Sequence, residues 1–539
     1  MKKISLLIAL FFCTTFFGQV TKLSALSSSK FLDSKILYEE DNENIYGYLL
    51  LFEKDKVNAN ESLFELVLLD KNLNKVGSTS FAQEVYNSWL IKLSSSIYFA
   101  KKNKDNLFIA IGQSNPMVES LIDRMIEDKG TSAFRVLNLK DFTISQNYFI
   151  KDYKFQLQTE KLDMQHPSKV MKEMQNMRFT KLTTNGGFIV SDLDYKSSMN
   201  ESIAAFYPGA AKMKVNRQKE FYYFDSDFQQ KWVYKINQEE KSKSFYKYNY
   251  FVNNRNDLVF IKKFYKKEND NIPDLSFDVV DVATGAKKFE ISMANTAYSY
   301  VFENLQFLDN KIIVFASVYD FNDKGEYRYD KKRGYVKQVY DRQTGKQLSE
   351  DFLKWDAFAG KLDIDEDGKI KDYGFIHFLE FRCDKDGKTI VVAEGYKPNA
   401  NTKILDLFTF VLDEKMKLLG FNKIDKFKNQ IDNIFAYGSS LENMGTFDYM
   451  YSQNLPGGGY VFYYSDNEKV GYKSKKDPKW ILGVITYVDG VFDFQKVPLT
   501  TKNGQIYPIK AKNGYILLKE VSNDDNNKDS EIRLEKINY

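Results

Sequence analysis

The segment from Lys337 to Leu348 reads KQVYDRQTGKQL, and this short pattern decides the fold class. A strand-like run leads to Asp341, a Thr-Gly pair follows at the turn, and a second polar and apolar run comes after it. Asp and Gly tolerate the backbone angles of tight turns, so the pattern predicts a β-hairpin. Related segments are FELVLLDKNLNKV from Phe64 and FDVVDVATGAKKF from Phe277.

The hairpin pattern recurs along the chain, which is typical of a repeat architecture. Neighbouring copies are 56 to 84 residues apart, and each follows another strand-like run, such as GGFIVSDL from Gly186. The seven turn anchors are Asp70, Asp141, Asp225, Asp281, Asp341, Asp413 and Asp489. An eighth copy at the C-terminus lacks a fourth strand, while VTKLSAL from Val20 lies unpaired at the other end. An N-terminal strand that completes the last sheet would close a ring and remove its open edges.

These repeats predict an all-β fold, a β-propeller of eight four-stranded blades, with seven blades as the alternative. Two segments interrupt the pattern, and we assign both to the third blade. Residues 161–179 carry four methionines and predict a short helix that packs against the sheet. Residues 196–220 predict a loop insertion, and long loops carry function more often than the framework does.

The N-terminus has the three-part layout of a secretory signal peptide. Two lysines open the chain, an apolar run extends from Ile4 to Phe17, and Gly18 offers a small residue before Gln19. The apolar run is too short for a comfortable membrane span. We therefore expect residues 1–18 to be removed and residues 19–539 to form one propeller domain without a membrane span.

Composition narrows the range of functions. The chain has 77 basic and 73 acidic residues, a formal charge of +4, and both signs are mixed along its length. A protein that binds nucleic acid would show a concentrated basic stripe, so we expect no nucleic-acid partner. The two cysteines are Cys13 and Cys383, which leaves one thiol in the processed chain and allows no intramolecular disulfide.

Histidine is nearly absent from this sequence, with His166 and His377 as its two copies. A zinc site with several His ligands is therefore excluded, and a mononuclear site would need both of them with carboxylates. A Ser-His-Asp triad would have to use one of the two, and no GxSxG elbow is present. His377 lies in the apolar run YGFIHFLEF, which predicts a buried residue with its hydrogen bonds satisfied.

The strongest ligand motif is DIDEDGK, with Asp363, Asp365 and Asp367 in alternation and a glycine after them. Several oxygen ligands in one tight loop suit a hard cation, so the motif predicts a calcium loop. The twelfth position of an EF-hand loop, where glutamate is expected, is Gly374. The alternative is a solvated acidic turn, of the type that DKDGK from Asp384 also predicts.

The chain resembles the large secreted propeller-like proteins of unknown function that flavobacteria and other Bacteroidetes produce. The resemblance rests on the leader MKKISLLIALFF, on strands such as GGFIVSD and VLDEKMKLLG, and on a composition rich in Lys, Asn, Phe and Tyr. It implies an architecture but no particular activity. The chain ends inside a predicted strand, without a separate sorting domain of the kind found in that group, which favours the periplasm or the cell envelope over the medium.

Together these features predict an exported, non-catalytic binding or scaffold propeller of the bacterial cell envelope. Its partner would be an envelope protein or a glycan, bound at one end of the ring or against the insertions. The alternative is a secreted polysaccharide hydrolase or lyase that works through carboxylates, because propellers also host such enzymes. The sequence contains 73 acidic residues and singles out no catalytic pair among them.

Overall fold

The structure is a computed structural model, and its secondary structure consists of antiparallel sheets and a few short helices. The residues that it describes are 19–41, 44–85, 94–114, 133–151, 154–158, 178–182, 187–191, 220–236, 244–252, 257–266, 273–293, 297–321, 327–431, 436–455, 457–467, 480–499, 504–522 and 530–537. Within these ranges the strands form eight antiparallel sheets, which we number as blades 1 to 8.

The first four blades follow one another along the chain, and neighbouring strands in each blade are hydrogen-bonded in chain order. Blade 1 contains β2 (Lys30–Tyr38), β3 (Ile45–Asn58), β4 (Glu61–Asp70) and β5 (Lys75–Glu84). Blade 2 contains β6 (Ser94–Asn103), β7 (Asn106–Ser114), β8 (Ala133–Asn138), β9 (Tyr148–Lys151) and β10 (Lys154–Leu157). Blade 3 contains β11 (Arg178–Leu182), β12 (Phe188–Ser191), β13 (Glu220–Phe224) and β14 (Gln230–Lys235). Blade 4 contains β15 (Phe245–Val252), β16 (Asp257–Tyr265), β17 (Asp274–Asp281) and β18 (Lys287–Ser292).

The last four blades continue this order, except that blade 8 takes its outer strand from the N-terminus. Blade 5 contains β19 (Ser299–Leu308), β20 (Lys311–Phe321), β21 (Tyr327–Asp341) and β22 (Gln347–Lys354). Blade 6 contains β23 (Lys369–Ile370), β24 (Gly374–Cys383), β25 (Thr389–Lys397), β26 (Thr402–Leu412), β27 (Leu418–Ile424) and β28 (Gln430–Ile431). Blade 7 contains β29 (Tyr449–Asn454), β30 (Tyr460–Asn467), β31 (Trp480–Val488) and β32 (Val491–Leu499). Blade 8 contains β33 (Gly504–Lys510), β34 (Tyr515–Ser522), β35 (Glu531–Lys536) and β1 (Gln19–Lys22).

The prediction of an eight-bladed β-propeller is confirmed, and so is the strand that closes it. β1 runs antiparallel to β35, with Gln19 opposite Leu534 and Lys22 opposite Glu531. Helix α1 (Leu23–Leu26) follows at once, and the Leu23 N–H donates a hydrogen bond to the Ser530 carbonyl at 3.0 Å. Blades 2 and 6 differ from the predicted four strands, because β10 and the two-residue strands β23 and β28 are added to them.

The predicted turn anchors lie where the third strand of a blade turns into the fourth. In blade 1 the Asp70 carboxylate accepts hydrogen bonds from the N–H groups of Asn72 and Asn74, both at 2.8 Å. The turn also places Leu73 at a φ of 66°, a conformation that side chains rarely adopt. Burial of Leu73, which is 2% exposed, offsets that cost.

One anchor was wrong in detail. In blade 2 the side chain of Asn138, not that of Asp141, accepts the N–H of the residue two positions on, Lys140, at 2.8 Å. Asn138 also closes the turn through its backbone groups, with the N–H of Phe142 donating to its carbonyl at 2.9 Å. Asp141 lies inside this turn and accepts from Thr143 instead. An amide oxygen accepts the same hydrogen bond as a carboxylate, so a pattern based on Asp alone misses it.

Apolar side chains fill the space between each blade and the next. Phe315 of blade 5 and Phe381 of blade 6, for example, stack with their ring centroids 4.5 Å apart. Leu50 of blade 1 packs in one cluster with Leu517 of blade 8, across the point where the ring closes. Most blades therefore bury both faces, which explains why the central strands are almost continuously apolar.

Most of the first strands carry an extra residue without a partner on the second strand. Such a bulge bends the strand and changes where its side chains point. The extra residues in the described strands are Leu32, Tyr98, Lys181, Glu303, Leu379 and Met450. Glu303 is the acidic member of this set, and it belongs to the site described below.

Several predictions fall on residues that the structure does not describe. The leader, residues 1–18, is one of them. The predicted helix of residues 161–179 is another, apart from Arg178 and Phe179, which belong to β11. The predicted loop of residues 196–220 is the third, apart from Glu220, which begins β13. In the described part of the chain, no helix has the length and apolar character needed to cross a membrane.

The closing strand makes a testable contribution to stability. A chain that begins at Leu23 lacks β1, so β35 becomes an open edge and four cross-strand pairs are lost. At about 0.2–1 kcal/mol for each pair, we expect the free energy of unfolding to fall by about 1–4 kcal/mol. Urea denaturation followed by tryptophan fluorescence measures this difference. A chain that begins at Gln19 is the matched control, and equal denaturation midpoints for the two chains would contradict the closure.

Candidate functional site

The candidate site lies at one end of the ring. In a four-stranded antiparallel blade the first strand begins and the fourth strand ends at the same end, which we call the upper face. The connection from blade 5 to blade 6 crosses this face as residues 355–373, and it starts with a 3-10 helix (Trp355–Phe358). The next connection carries helix α2 (Gly438–Asn443), which packs on β24.

A polar cluster lies between blades 5 and 6 at the upper face. It joins Glu303 of β19, His377 of β24 and Glu442 of α2, and one ligand atom from each lies within 4.8 Å of the others. In the residues that the structure describes, this is the one group of three His, Cys, Asp or Glu side chains that meets so closely. A hydrogen bond of 2.6 Å joins His377 Nε2 to Glu442 Oε2.

Burial controls the protonation of this cluster. His377 is 1% exposed, and desolvation, with a contribution from Lys332, lowers the pKa of its imidazole to about 3. The ring is therefore neutral at physiological pH. Desolvation also raises the pKa of Glu442 to about 7, although 42% of its side chain remains exposed. Near neutral pH the hydrogen bond between them therefore joins a neutral imidazole to a carboxyl group whose pKa lies well above its usual range.

One lysine faces the two carboxylates of the cluster. Lys332 Nζ lies 3.9 Å from Glu303 Oε1 and donates a hydrogen bond of 2.6 Å to Tyr335 Oη. The Ser317 hydroxyl donates a hydrogen bond to the Glu303 carboxylate. Desolvation lowers the pKa of Lys332 to about 8 and raises the pKa of Glu303.

Local sequence features bring these side chains together. Glu303 is the bulged residue of β19, so it has no partner on β20. Gly438 opens helix α2 directly against the imidazole, since a Cβ at this position would lie 2.5 Å from His377 Nδ1. Phe447 covers the other part of the ring, with centroids 5.5 Å apart and nearly parallel planes.

A small cavity of about 10 Å³ lies beside the cluster. This volume is about what one water molecule needs. Its walls include His377, Lys332, Tyr319, Tyr396, Ser439 and Asp367.

A larger, open cleft lies at the same face, where β27 ends and the chain leaves blade 6. Its volume is about 420 Å³, and it is lined by Asp406, Lys423, Asp425, Lys426, Phe427 and Lys428. Lys423 Nζ lies 3.0 Å from the Asp406 carboxylate and 3.9 Å from that of Asp425. Asp406 and Asp425, the two carboxylates of the cleft, therefore share Lys423 as an ion-pair partner.

Lys426, one of the residues that line the cleft, belongs to a buried ion triad. Lys426 Nζ, whose side chain is fully buried, lies 2.7 Å from Glu394 Oε1 and 2.5 Å from Asp448 Oδ2. Glu394 also accepts the N–H groups of Asp448 and Tyr449, at 3.0 and 3.2 Å. Burial raises the pKa of Glu394 to about 7 and raises the pKa of Asp448. The triad ties blade 6 to the start of blade 7.

The predicted calcium residues occupy the connection from blade 5 to blade 6. Asp365 Oδ1 accepts the N–H groups of Asp367 and Lys369, at 3.0 and 2.9 Å, as the hairpin anchors do. Asp367 forms ion pairs with Lys331 and Arg333, while the carbonyl of Asp363 accepts the Lys371 N–H. These contacts also suit a plain turn, and the calcium loop stays a prediction.

The structure brings one predicted residue, His377, into the cluster and places Asp367 in the wall of its cavity. His166 lies outside the described residues. Glu303, Glu442 and Lys332 were not predicted. Glu303 is the one charged residue of the run SYVFENLQFL, and this was the available signal, but its partners are far away in the sequence.

Comparison with known proteins gives a family match over part of the chain. Residues 210–407 match the model of a family described as "Family of unknown function (DUF6770)". No curated protein matches the chain. Among solved structures, the chain is similar to a europium-containing methanol dehydrogenase, with 9% identity, a TM-score of 0.38, and coverage of 92% of this chain and 90% of that one. It is also similar to an ulvan lyase of family PL25, with 10% identity, a TM-score of 0.36, and coverage of 81% and 91%.

The ion triad predicts a pH-dependent effect of Lys426→Met. Removing the lysine leaves two buried carboxylates without a cation, which costs about 3–5 kcal/mol of stability at pH 8. A carboxylate whose folded pKa is raised favours folding at low pH and loses that contribution as pH rises from 4.5 through about 7. The cost should therefore be smaller at pH 5 than at pH 8, as measured by urea denaturation.

Lys140→Met is the control for this experiment, because its side chain is 72% exposed and it pairs with Asp105, which is 60% exposed. Its effect on stability should be small, as for surface ion pairs. An equal cost of Lys426→Met at both pH values would contradict a buried triad.

The calcium loop has its own test. If Asp363, Asp365 and Asp367 bind Ca²⁺, millimolar calcium raises the melting temperature of the chain, because a ligand of the folded state stabilises it. Asp365→Ala abolishes the rise, whereas Asp384→Ala, in the similar turn DKDGK, keeps it. No shift of the parent chain in millimolar calcium would leave the solvated acidic turn as the explanation.

Proposed function

We propose that this chain is an exported, non-catalytic binding propeller of the bacterial cell envelope, which holds a polar glycan in the cleft at the end of blade 6. The cleft volume of about 420 Å³ falls in the range of about 300–1,000 Å³ found for ligand sites. Its walls carry hydrogen-bonding groups of both charges together with one aromatic ring, that of Phe427. Such walls suit a polar ligand better than an apolar one.

Export rests on the layout of the leader and fits the position of the first strand. The described residues of β1, Gln19–Lys22, follow the expected cleavage point and pair with β35. Removal of residues 1–18 would thus leave every strand of the described ring in place. The envelope location rests on the resemblance to secreted propeller-like proteins of Bacteroidetes.

One observation favours binding over hydrolysis. In the described residues, two carboxylates and a histidine meet in the cluster of Glu303, His377 and Glu442, where ligand atoms lie within 4.8 Å. Carboxyl groups about 5–5.5 Å apart serve retaining glycosidases, so the separation alone would suit an enzyme. The adjoining cavity of about 10 Å³, however, has room for one water and not for a sugar ring.

The experiment is a parallel measurement of binding and cleavage. The chain from Gln19 onward is run in native gels that contain acidic or neutral envelope and algal polysaccharides, and the same mixtures are assayed for new reducing or unsaturated sugar ends. We expect retardation by at least one polysaccharide without release of ends. Lys428→Glu, at the rim of the cleft, should weaken the retardation by about tenfold or more, because it reverses a charge at the ligand.

Lys415→Glu is the matched control, since it makes the same charge change on the exposed hairpin between β26 and β27, at the opposite end of the blade. Equal retardation of Lys428→Glu and the parent would rule out the cleft. Release of sugar ends that is lost in Glu442→Gln would contradict the non-catalytic function and support the hydrolase or lyase. Binding of envelope proteins with no polysaccharide would replace the glycan with a protein partner.

A further inference from the structure

We propose that Glu303, His377 and Glu442 form a mononuclear Zn²⁺ site between blades 5 and 6, with one water molecule as the fourth ligand. This inference does not depend on the glycan cleft. It rests on the donor atoms, their spacing, the groups that orient them and the adjoining cavity.

The donor set suits zinc. One imidazole nitrogen and two carboxylate oxygens are ligands that Zn²⁺ accepts, and open zinc sites in proteins use three side chains and a water. The proposed site therefore uses one histidine, whereas we expected from the sequence that a mononuclear zinc site would need both His166 and His377; Glu303 and Glu442 supply the other protein ligands. Calcium prefers six to eight oxygens, and magnesium prefers an octahedron of oxygens that includes several waters. The nitrogen of His377 and the low ligand number therefore favour a transition metal over these hard cations.

The spacing requires little adjustment. Ligand atoms about 2.0–2.1 Å from a tetrahedral zinc stand about 3.4 Å from one another. In the structure the three atoms already lie within 4.8 Å, and His377 Nε2 and Glu442 Oε2 are 2.6 Å apart. Glu442 is 42% exposed and sits on a short helix, so a change in its rotamer can admit the ion. Glu303 and His377 come from strands of two packed blades and supply the rigid part of the site.

Neighbouring groups orient the ligands. Ser317 donates a hydrogen bond to the Glu303 carboxylate, and Phe447 stacks on the His377 ring. Gly438 lets the backbone of α2 approach His377 Nδ1, which fixes the direction of the ring. Groups that contact the ligands, and not the metal itself, influence the geometry and affinity of metal sites.

The charges of the cluster also favour an added cation. Two carboxylates converge on one cation, Lys332, whose ammonium lies 3.9 Å from Glu303 Oε1. His377 is 1% exposed, and its Nε2 lies 2.6 Å from Glu442 Oε2, so a ring nitrogen faces the second carboxylate of the site. The cavity of about 10 Å³ beside His377 is the place for the fourth ligand, because it holds about one water.

The test uses the untagged chain from Gln19 onward, stripped with EDTA and dialysed. Isothermal titration with Zn²⁺ should give one saturable site for each chain, and elemental analysis after gel filtration should find one zinc. Bound zinc should also raise the melting temperature, because it binds the folded state. Ca²⁺ and Mg²⁺ at the same concentration should leave this site empty.

Glu442→Gln removes one ligand from an exposed position and should lower zinc affinity by about 100-fold or more, since loss of a supporting group alone costs about 10–100-fold. His377→Gln should do the same. Lys332→Met removes the competing ammonium and should raise the affinity by about tenfold or more. Glu414→Gln, on an exposed turn, is the matched control and should bind like the parent.

Circular dichroism in EDTA checks that each variant folds. Absence of saturable zinc binding by the parent would overturn the proposal. Equal affinity of the parent and a folded Glu442→Gln variant would overturn it too, because the zinc would then bind elsewhere.

Discussion

Nearly every feature of this protein depends on one constraint: a blade that is apolar on both faces must lie between two other blades. A row of such sheets always leaves two apolar faces at its ends, and a ring leaves none. The strand β1 completes this ring because it belongs to the last sheet by hydrogen bonding and to the start of the chain by covalent connection. Leu50 and Leu517 then pack across the closing point as neighbours do elsewhere. Blade 8 therefore combines the first strand of the chain with its last three strands.

The same constraint bears on the buried charged groups at the upper face between blades 5 and 7. Charged groups between packed sheets are costly unless each has a partner, so they occur where connections and bulges bring partners to them. Lys426 meets two carboxylates there, and Lys332 faces Glu303. The arrangement around Glu303, His377 and Lys332 depends on two local features, the bulge at Glu303 and the missing side chain at Gly438.

The sequence allowed the ring to be predicted because its signals are local. An Asp or Gly turn such as that at Asp341 lies within a few residues of the strands that it joins, so the repeat can be counted without tertiary information. The cluster could not be found in this way. Glu442 meets His377 from 65 residues further along the chain, and that contact depends on how blade 6, its bulge and α2 pack. Asn138 is a smaller example. The predicted pattern required Asp at the turn, whereas the amide oxygen of Asn138 accepts the Lys140 N–H in the same way.

The central claim is that packing of two blades in a closed ring assembles a three-ligand polar centre from residues far apart in the sequence. A crystal structure of the chain from Gln19 onward, grown with Zn²⁺ and measured on both sides of the zinc absorption edge, tests it most directly. The account predicts eight sheets closed by β1 and one anomalous peak in contact with Glu303, His377 and Glu442. A structure in which these side chains lie apart, or in which the zinc peak occurs at other residues, would contradict it.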